Sequence, residues 1–176
     1  SVETTMGFTP VDGLVMATRP GSVDPGMIAW LADRIPPAEL ADGLEHRSGM
    51  AALAGLPGGS GDYRDVAAAA AAGEPDAVLA LDVYGYRLIT AIGAMAAAMN
   101  GLDALVFTGG IGEHAPAVRA AAAAGLGFLG VAIDPAANAS ARADADISAA
   151  GAGARTIVVT AREDLAIARA VTGLLP

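Results

Sequence analysis

The stretch Leu105-Val106-Phe107-Thr108-Gly109-Gly110-Ile111-Gly112-Glu113-His114 holds the residues best suited to chemistry. Its opening apolar run, rich in β-formers, reads as a buried strand. Three glycines within four residues follow, then Ala115-Pro116 and the good helix formers of 117–124. A strand, a glycine loop and a helix start together suit a phosphate group. Glycines let the main chain approach an anion, unpaired amides point at it, and the helix dipole favours negative charge. The same residues also fit two other patterns. One is a tight turn between strand and helix. The other is a dinucleotide fingerprint, G-x-G-x-x-A over 110–115, with Asp134 where a ribose-binding acid would stand. That fingerprint normally opens its domain, whereas a long helical segment and several shorter ones precede it here.

Absences narrow the chemistry further. All ten basic residues are arginine. A chain without lysine has no Walker-A loop, no Schiff-base lysine and no kinase-type strand lysine. Without cysteine it has no thiolate nucleophile, disulfide or zinc–sulfur site, which fits a reducing cytoplasm. His46 and His114 are too few for a histidine-rich metal site, and His46 reads as a surface residue. Any metal would be a hard ion on oxygen ligands, magnesium before zinc. The net charge of −9 argues against nucleic acid as a partner. A phosphorylated ligand would need a local cluster of arginines and amides.

Three further places draw attention, each with an ordinary reading. Arg19 lies among apolar and turn residues, where a loop arginine at the surface is the default. Asp62-Tyr63-Arg64 reads as a helix cap followed by an exposed first turn. Glu163 is an acid at a helix N-terminus, a placement worth about 0.3–1 kcal/mol.

The elements that must position these residues follow from pattern and punctuation. Residues 1–18 read as extended segments and loops, ending at Arg19-Pro20-Gly21. Asp24-Pro25 caps a helix over 26–34, and short helices are expected over 38–44 and 48–56. After the loop Pro57-Gly58-Gly59-Ser60-Gly61, Asp62 caps a helix to residue 72, with Asp65 as an acidic variant of the capping box. The longest helix runs over 75–99 and ends at Asn100-Gly101. Asp82, Arg87 and two tyrosines argue against its crossing a membrane. Being apolar nearly all round, it is expected to be buried on more than one side, the second side in another subunit. Val131-Ala132-Ile133 and 156–160 read as strands, Ile147 as part of an edge strand, and 163–174 as a closing helix. The order is α/β, and 176 residues suffice for one well-buried domain or two small lobes. No basic-then-apolar segment opens the chain, so no signal peptide is expected. Without an initiator methionine, Ser1 reads as the middle of something longer.

Several of these motifs together resemble the acetate kinases. Thr5-Met6-Gly7-Phe8-Thr9-Pro10, Gly13-Leu14 and Thr18-Arg19 look like the segment that opens the second half of that family. So do Asp62-Tyr63-Arg64-Asp65, Asn100-Gly101-Leu102-Asp103, the segment 107–113, and Glu163 ahead of Leu165-Ala166-Ile167-Ala168-Arg169. They fall in the family's order along almost the whole chain. The resemblance implies an actin-like, ribonuclease-H-like ATPase lobe: α/β, with a mixed sheet and flanking helices. It implies reversible transfer of the γ-phosphoryl group of ATP to acetate, giving acetyl phosphate and ADP, with Mg2+ as cofactor, in a cytoplasmic homodimer. Residues 1–176 would be the C-terminal, nucleotide-side domain, inactive alone. The amino-terminal lobe would be absent, and 163–176 would be a closing helix docked on it.

Roles follow residue by residue. Arg19 matches the arginine that steadies charge on the transferring phosphoryl group. Asp62, Tyr63 and Arg64 match the adenosine pocket, with tyrosine where phenylalanine is common. Gly110, Ile111, Gly112, Glu113 and His114 match the loop under the phosphates and adenosine. His114 departs from the family's usual asparagine. Glu163 matches the magnesium-associated carboxylate. Gly112→Val is expected to abolish ADP binding by filling the approach to the phosphates. Within the resemblance, a propionate or other short-carboxylate kinase stays open. Outside it stand a dinucleotide-binding oxidoreductase domain and a non-catalytic nucleotide-binding or dimerisation module.

Overall fold

A computed structural model describes residues 1–142 and 144–174. They divide into two compact units, Ser1–Gly101 and Leu102–Pro176. The last two residues of the expected closing segment, Leu175 and Pro176, lie outside the described residues.

In the first unit, residues 1–24 carry no helix or strand, and five helices follow. These are α1 (Pro25–Ala32), α2 (Pro37–His46), α3 (Gly49–Ala54), α4 (Tyr63–Ala71) and α5 (Pro75–Ala98). The caps act as their sequence predicts at α1 and α4. Asp24 accepts from the Met27 amide at 3.0 Å and Asp62 from the Arg64 amide at 2.8 Å. The expected capping box at Asp65 differs. Asp65 accepts from the Ser60 hydroxyl, and Ser60 Oγ in turn accepts from the Asp62 amide. An aspartate is one methylene shorter than the glutamate of the standard motif, and Ser60 spans the difference. At the end of α5, Asn100 has φ 61° and its neighbour Gly101 φ 139°, the left-handed exit that the dipeptide predicts.

The core of this unit is built on small residues. Val66 of α4, Met50 and Ala54 of α3, and Ala77 and Ala80 of α5 are buried, so α3 and α4 both pack along α5. Fully burying a side chain such as Val66 stabilises by about 1.5–3 kcal/mol. The long helix is covered within this chain by α3 and α4. Its buried residues within this chain are Ala77, Ala80 and Ala96, while Val78, Leu79 and Tyr86 are exposed. By length and composition alone it is apolar enough to cross a membrane.

The second unit holds a three-stranded mixed sheet in the order β1-β3-β2. Strand β1 (Ala104–Phe107) pairs parallel with β3 (Arg155–Val158), which pairs antiparallel with β2 (Ala145–Asp146). Around it lie α6 (Gly109–His114), α7 (Pro116–Gly125), α8 (Pro135–Ser140) and α9 (Glu163–Thr172). Three expectations change here. Strand β1 is not buried on both faces: Leu105 and Phe107 point inward while Ala104 and Val106 are exposed. It lies at the sheet edge, and its burial alternates with the period-2 pleat. Val131-Ala132-Ile133 is not a strand, because Val131 bridges Ala154 in one direction and Ile133 bridges Ser148 in the other. A ladder needs consecutive pairs on one neighbour. Ile147 is fully buried just after β2 and packs with Ala141 and Val158.

The third change concerns the glycines. They do not form an open loop; Gly109 to His114 make a helix of 6 residues. Ala115 breaks the helix at φ −113° and ψ 82°, away from the helical region that the following proline disfavours. Helix α7 starts anew at Pro116.

Candidate functional site

In the first unit the fold brings Arg19 and the start of α4 together through two glycines. The first amides of α3 have no partners within the helix, and the carbonyls of the loop 16–18 supply them. Ser48 N–H donates to Thr18 O, Met50 N–H to Met16 O and Ala51 N–H to Ala17 O, each at 2.9 Å. The Thr18 hydroxyl donates to Glu45 O at 2.8 Å, and the Met16 amide closes the turn on Arg19 O at 3.0 Å. This loop passes so close to Gly49 that a β-carbon there would lie 2.7 Å from Arg19 O and 2.8 Å from Arg19 N. Gly49 also has φ 66°, which side chains disfavour. On the other side, a β-carbon at Gly61 would lie 2.7 Å from Ala17 C. Gly61 directly precedes Asp62, so the two predicted binding segments share a backbone contact. Neither glycine was singled out by motif, although each marks a place where main chain meets main chain.

Arg19 is thus held by its backbone. Its Nε is buried and has no hydrogen-bond partner. Buried donors are nearly always paired, so this one is an exception in a loop fixed from two sides. Asp62 and Arg64 are bound to each other: Arg64 Nε donates to Asp62 Oδ1 at 3.0 Å and Nη2 to Oδ2 at 2.7 Å. The guanidinium holds the Asp62 carboxyl down at about 2. The Tyr63 ring lies 6.4 Å from that of Tyr84 on α5, tilted by 53°. Burial raises the pKa of both phenols.

In the second unit the predicted residues cluster where β1 and β3 end. Gly110 and His114 are exposed on α6, and Ile111, Gly112 and Glu113 are half-buried. A β-carbon at Gly110 would meet nothing within 4 Å, whereas one at Gly112 would lie 3.3 Å from Phe107 C. Gly112 therefore faces the strand beneath it, and the open space expected beside Gly112 lies beside Gly110 instead. Glu113 Oε1 accepts from the Gly109 amide and from the Ala161 amide, both at 2.9 Å. Glu163 is exposed at the first position of α9. Asp134, the acid of the dinucleotide pattern, caps α8 by accepting from the Ala137 amide at 2.7 Å.

Arg119 escaped the sequence reading. It sits in an alanine-rich helix, yet it is fully buried. Its Nη1 donates to Gly112 O and Glu113 O at 2.8 Å, closing the C-terminal end of α6. Its Nε donates to Asn138 Oδ1 at 2.7 Å, its Nη2 to Asn138 O at 2.8 Å, and Asn138 Nδ2 donates to Pro116 O at 2.9 Å. Burial lowers the pKa of this guanidinium, with a smaller contribution from Arg142.

Residues 1–169 match the model of the Acetokinase family. An acetate kinase of Synechococcus sp. (strain JA-2-3B'a(2-13)) is 48% identical over 176 residues, covering 99% of this chain and 43% of that protein. A propionate kinase of Citrobacter rodentium is 46% identical, covering 96% of this chain and 41% of that one. The crystal structure of Porphyromonas gingivalis acetate kinase superposes with a TM-score of 0.88 at 35% identity, over 98% of this chain and 43% of the other. The chain spans less than half the length of the curated relatives it matches.

Proposed function

The chain belongs to the Acetokinase family, and from that premise we propose that it forms the nucleotide side of an enzyme moving the γ-phosphoryl group of ATP reversibly to acetate. The observation that carries this reading is the unpartnered, buried Nε of Arg19 in a loop held between α3 and Gly61. A guanidinium stays charged and presents a planar fork to the equatorial oxygens of a transferring phosphoryl group. Fixed in advance, it strengthens its interaction as charge develops there. Asp62, Tyr63 and Arg64 take the adenosine. The exposed glycine of α6, Gly110, with Ile111, Gly112, Glu113 and His114, forms the segment under the phosphates.

Magnesium fits the donor set. Glu163 offers a hard carboxylate oxygen, and the described residues contain no group of three His, Cys, Asp or Glu that would cage an ion. An ion held by one carboxylate, phosphate oxygens and water is a normal magnesium shell. When bound, Mg2+ neutralises charge on the nucleotide's β- and γ-oxygens. Helix α9 docks on the amino-terminal lobe of the whole enzyme, which its exposed Leu165, Ile167 and Val171 support. The enzyme is a cytoplasmic homodimer joined through α5.

A propionate kinase is the second reading, with which the Citrobacter rodentium relative is compatible. The acyl pocket is expected outside this chain. The test joins this chain to the amino-terminal half of a full-length relative and measures ADP formation with acetate and with propionate. Arg19→Ala in that enzyme should lower turnover by about a thousandfold, with a much smaller change in the KM for ATP. Arg19→Lys should rescue only in part, because a point charge lacks the planar fork. Turnover left intact in Arg19→Ala would make Arg19 an ordinary loop arginine. ADP binding without any turnover in the joined protein would favour the non-catalytic module.

A further inference from the structure

Strands β1 and β3 run parallel and side by side, and the last bond of their ladder is Val159 N–H to Phe107 O at 2.8 Å. Beyond it the chains part. One enters α6 at Gly109, the other passes through Thr160, Ala161 and Arg162 to Glu163. A single side-chain oxygen bridges the gap. Glu113 Oε1 accepts from the Gly109 amide, which starts α6, and from the Ala161 amide, two residues before Glu163, both at 2.9 Å.

Both ends of this bridge are anchored. The main chain of Glu113 is held from the interior, where fully buried Arg119 donates to its carbonyl and to that of Gly112. The far segment is held by Asp144. Its Oδ1 accepts from the Thr160 amide at 2.8 Å, and its Oδ2 from Arg162 Nη2 at 2.7 Å. Three consecutive residues, Thr160, Ala161 and Arg162, are therefore each tied to a carboxylate just before the exposed Glu163.

We propose that Glu113 is a positioning residue: its carboxylate braces the α6 segment against the segment 160–162 and so fixes Glu163 relative to the glycines. This rests on the nucleotide and magnesium reading above and assigns the Glu113 side chain to protein amides within that site. The brace needs an acceptor oxygen of the right reach, and it needs no negative charge. A glutamine keeps such an oxygen. An aspartate, one methylene shorter, cannot serve both amides, and an alanine serves neither.

Two measurements on this chain separate the brace from its consequence. The first is amide hydrogen exchange without ligand. Gly109 and Ala161 should exchange about tenfold faster or more in Glu113→Ala and Glu113→Asp, and as in the parent chain in Glu113→Gln. Unchanged exchange in the alanine and aspartate variants overturns the brace. The second is ADP affinity with and without magnesium. The gain in affinity that magnesium brings should fall about tenfold in Glu113→Ala and Glu113→Asp, in the range of outer-sphere substitutions. It should persist in Glu113→Gln. Equal loss of the gain in glutamine and alanine variants would make Glu113 a direct metal ligand and overturn positioning. Loss of magnesium-free affinity in every variant would make it a nucleotide ligand and overturn positioning likewise. Absence of ADP binding in the parent chain sinks the functional reading and with it the positioning role, while the exchange result still decides whether the brace exists.

Discussion

Gly110 and Gly112 lie two residues apart on α6 and meet different neighbours. A β-carbon at Gly110 enters open space, whereas one at Gly112 lies 3.3 Å from Phe107 C and 3.5 Å from Phe107 Cβ. Valine at Gly112 would push α6 off the end of β1, an overpacking that costs about 1–3 kcal/mol. Valine at Gly110 intrudes only on the solvent side, where a bound phosphate would approach. Gly110→Val should therefore weaken ADP binding about tenfold or more with little change in stability, since an obstructed hydrogen bond to a charged group is worth about 1.5–3 kcal/mol. Gly112→Val should lower the thermal midpoint. Calorimetric titration and thermal denaturation of both variants check this, and identical behaviour of the two would refute the assignment of faces. The same contrast separates Arg19 from Arg119. One guanidinium has a buried Nε left without a partner, and the other has every nitrogen engaged with Asn138 or the end of α6.

At the scale of elements, carboxylates cap helices and fasten strands. Asp24, Asp62 and Asp134 each cap a helix. Asp146 fastens β2 to β3, accepting from the Ser148 hydroxyl and amide and from Arg155 Nε and Nη2. The Ser148 hydroxyl, then its amide, then Arg155 pull the Asp146 carboxyl down to about 2, and Arg64 does the same to Asp62. A folded pKa below the unfolded value of about 3.9 means that the unfolded chain binds more protons in between. The stabilisation is complete above about pH 4 and is lost as pH falls through about 2. The thermal midpoint should accordingly drop between pH 4 and pH 2. Asp146→Asn and Asp62→Asn should each flatten that drop, Asp146→Asn the more informative because one of its partners, Arg155, lies on another strand. A slope unchanged in both variants would show that other groups govern acid unfolding.

For the molecule as a whole, the unanswered surface is that of α5. Val78 is 41%, Leu79 51% and Tyr86 67% exposed on a helix whose mean composition suits an interior. Monomeric proteins scatter single apolar residues over their surface, but a large contiguous patch marks an interface. The homodimer proposed through α5 gives these residues cover. The chain should sediment as a dimer at micromolar concentration. Leu79→Glu, which removes no buried contact within the chain, should yield a monomer with secondary structure unchanged. A parent chain that is monomeric under these conditions, or a Leu79→Glu chain that stays dimeric, would count against α5 as the interface.

Much of this molecule was legible before any coordinate was known, wherever the deciding interaction is local. Asp24 and Asp62 cap because an aspartate reaches an amide two or three residues ahead, and Asn100-Gly101 ends α5 because those two residues tolerate positive φ. The order of the family's motifs, read one residue type at a time, identified the same family that the chain matches over 1–169. The glycines of 109–112 misled as a loop, because what makes them helical includes a carboxylate bond to Gly109 from Glu113, the same oxygen that accepts from Ala161, 48 residues further on. Strand β1 misled because an apolar run does not say whether its strand lies at the edge of a sheet. Arg119, in a run of alanines, looks like an exposed arginine until Asn138, 19 residues away, closes over it. Propensity and capping act over a few residues and leave their mark in sequence. Burial and long-range hydrogen bonds depend on which segments the fold brings together, and only the tertiary structure decides that.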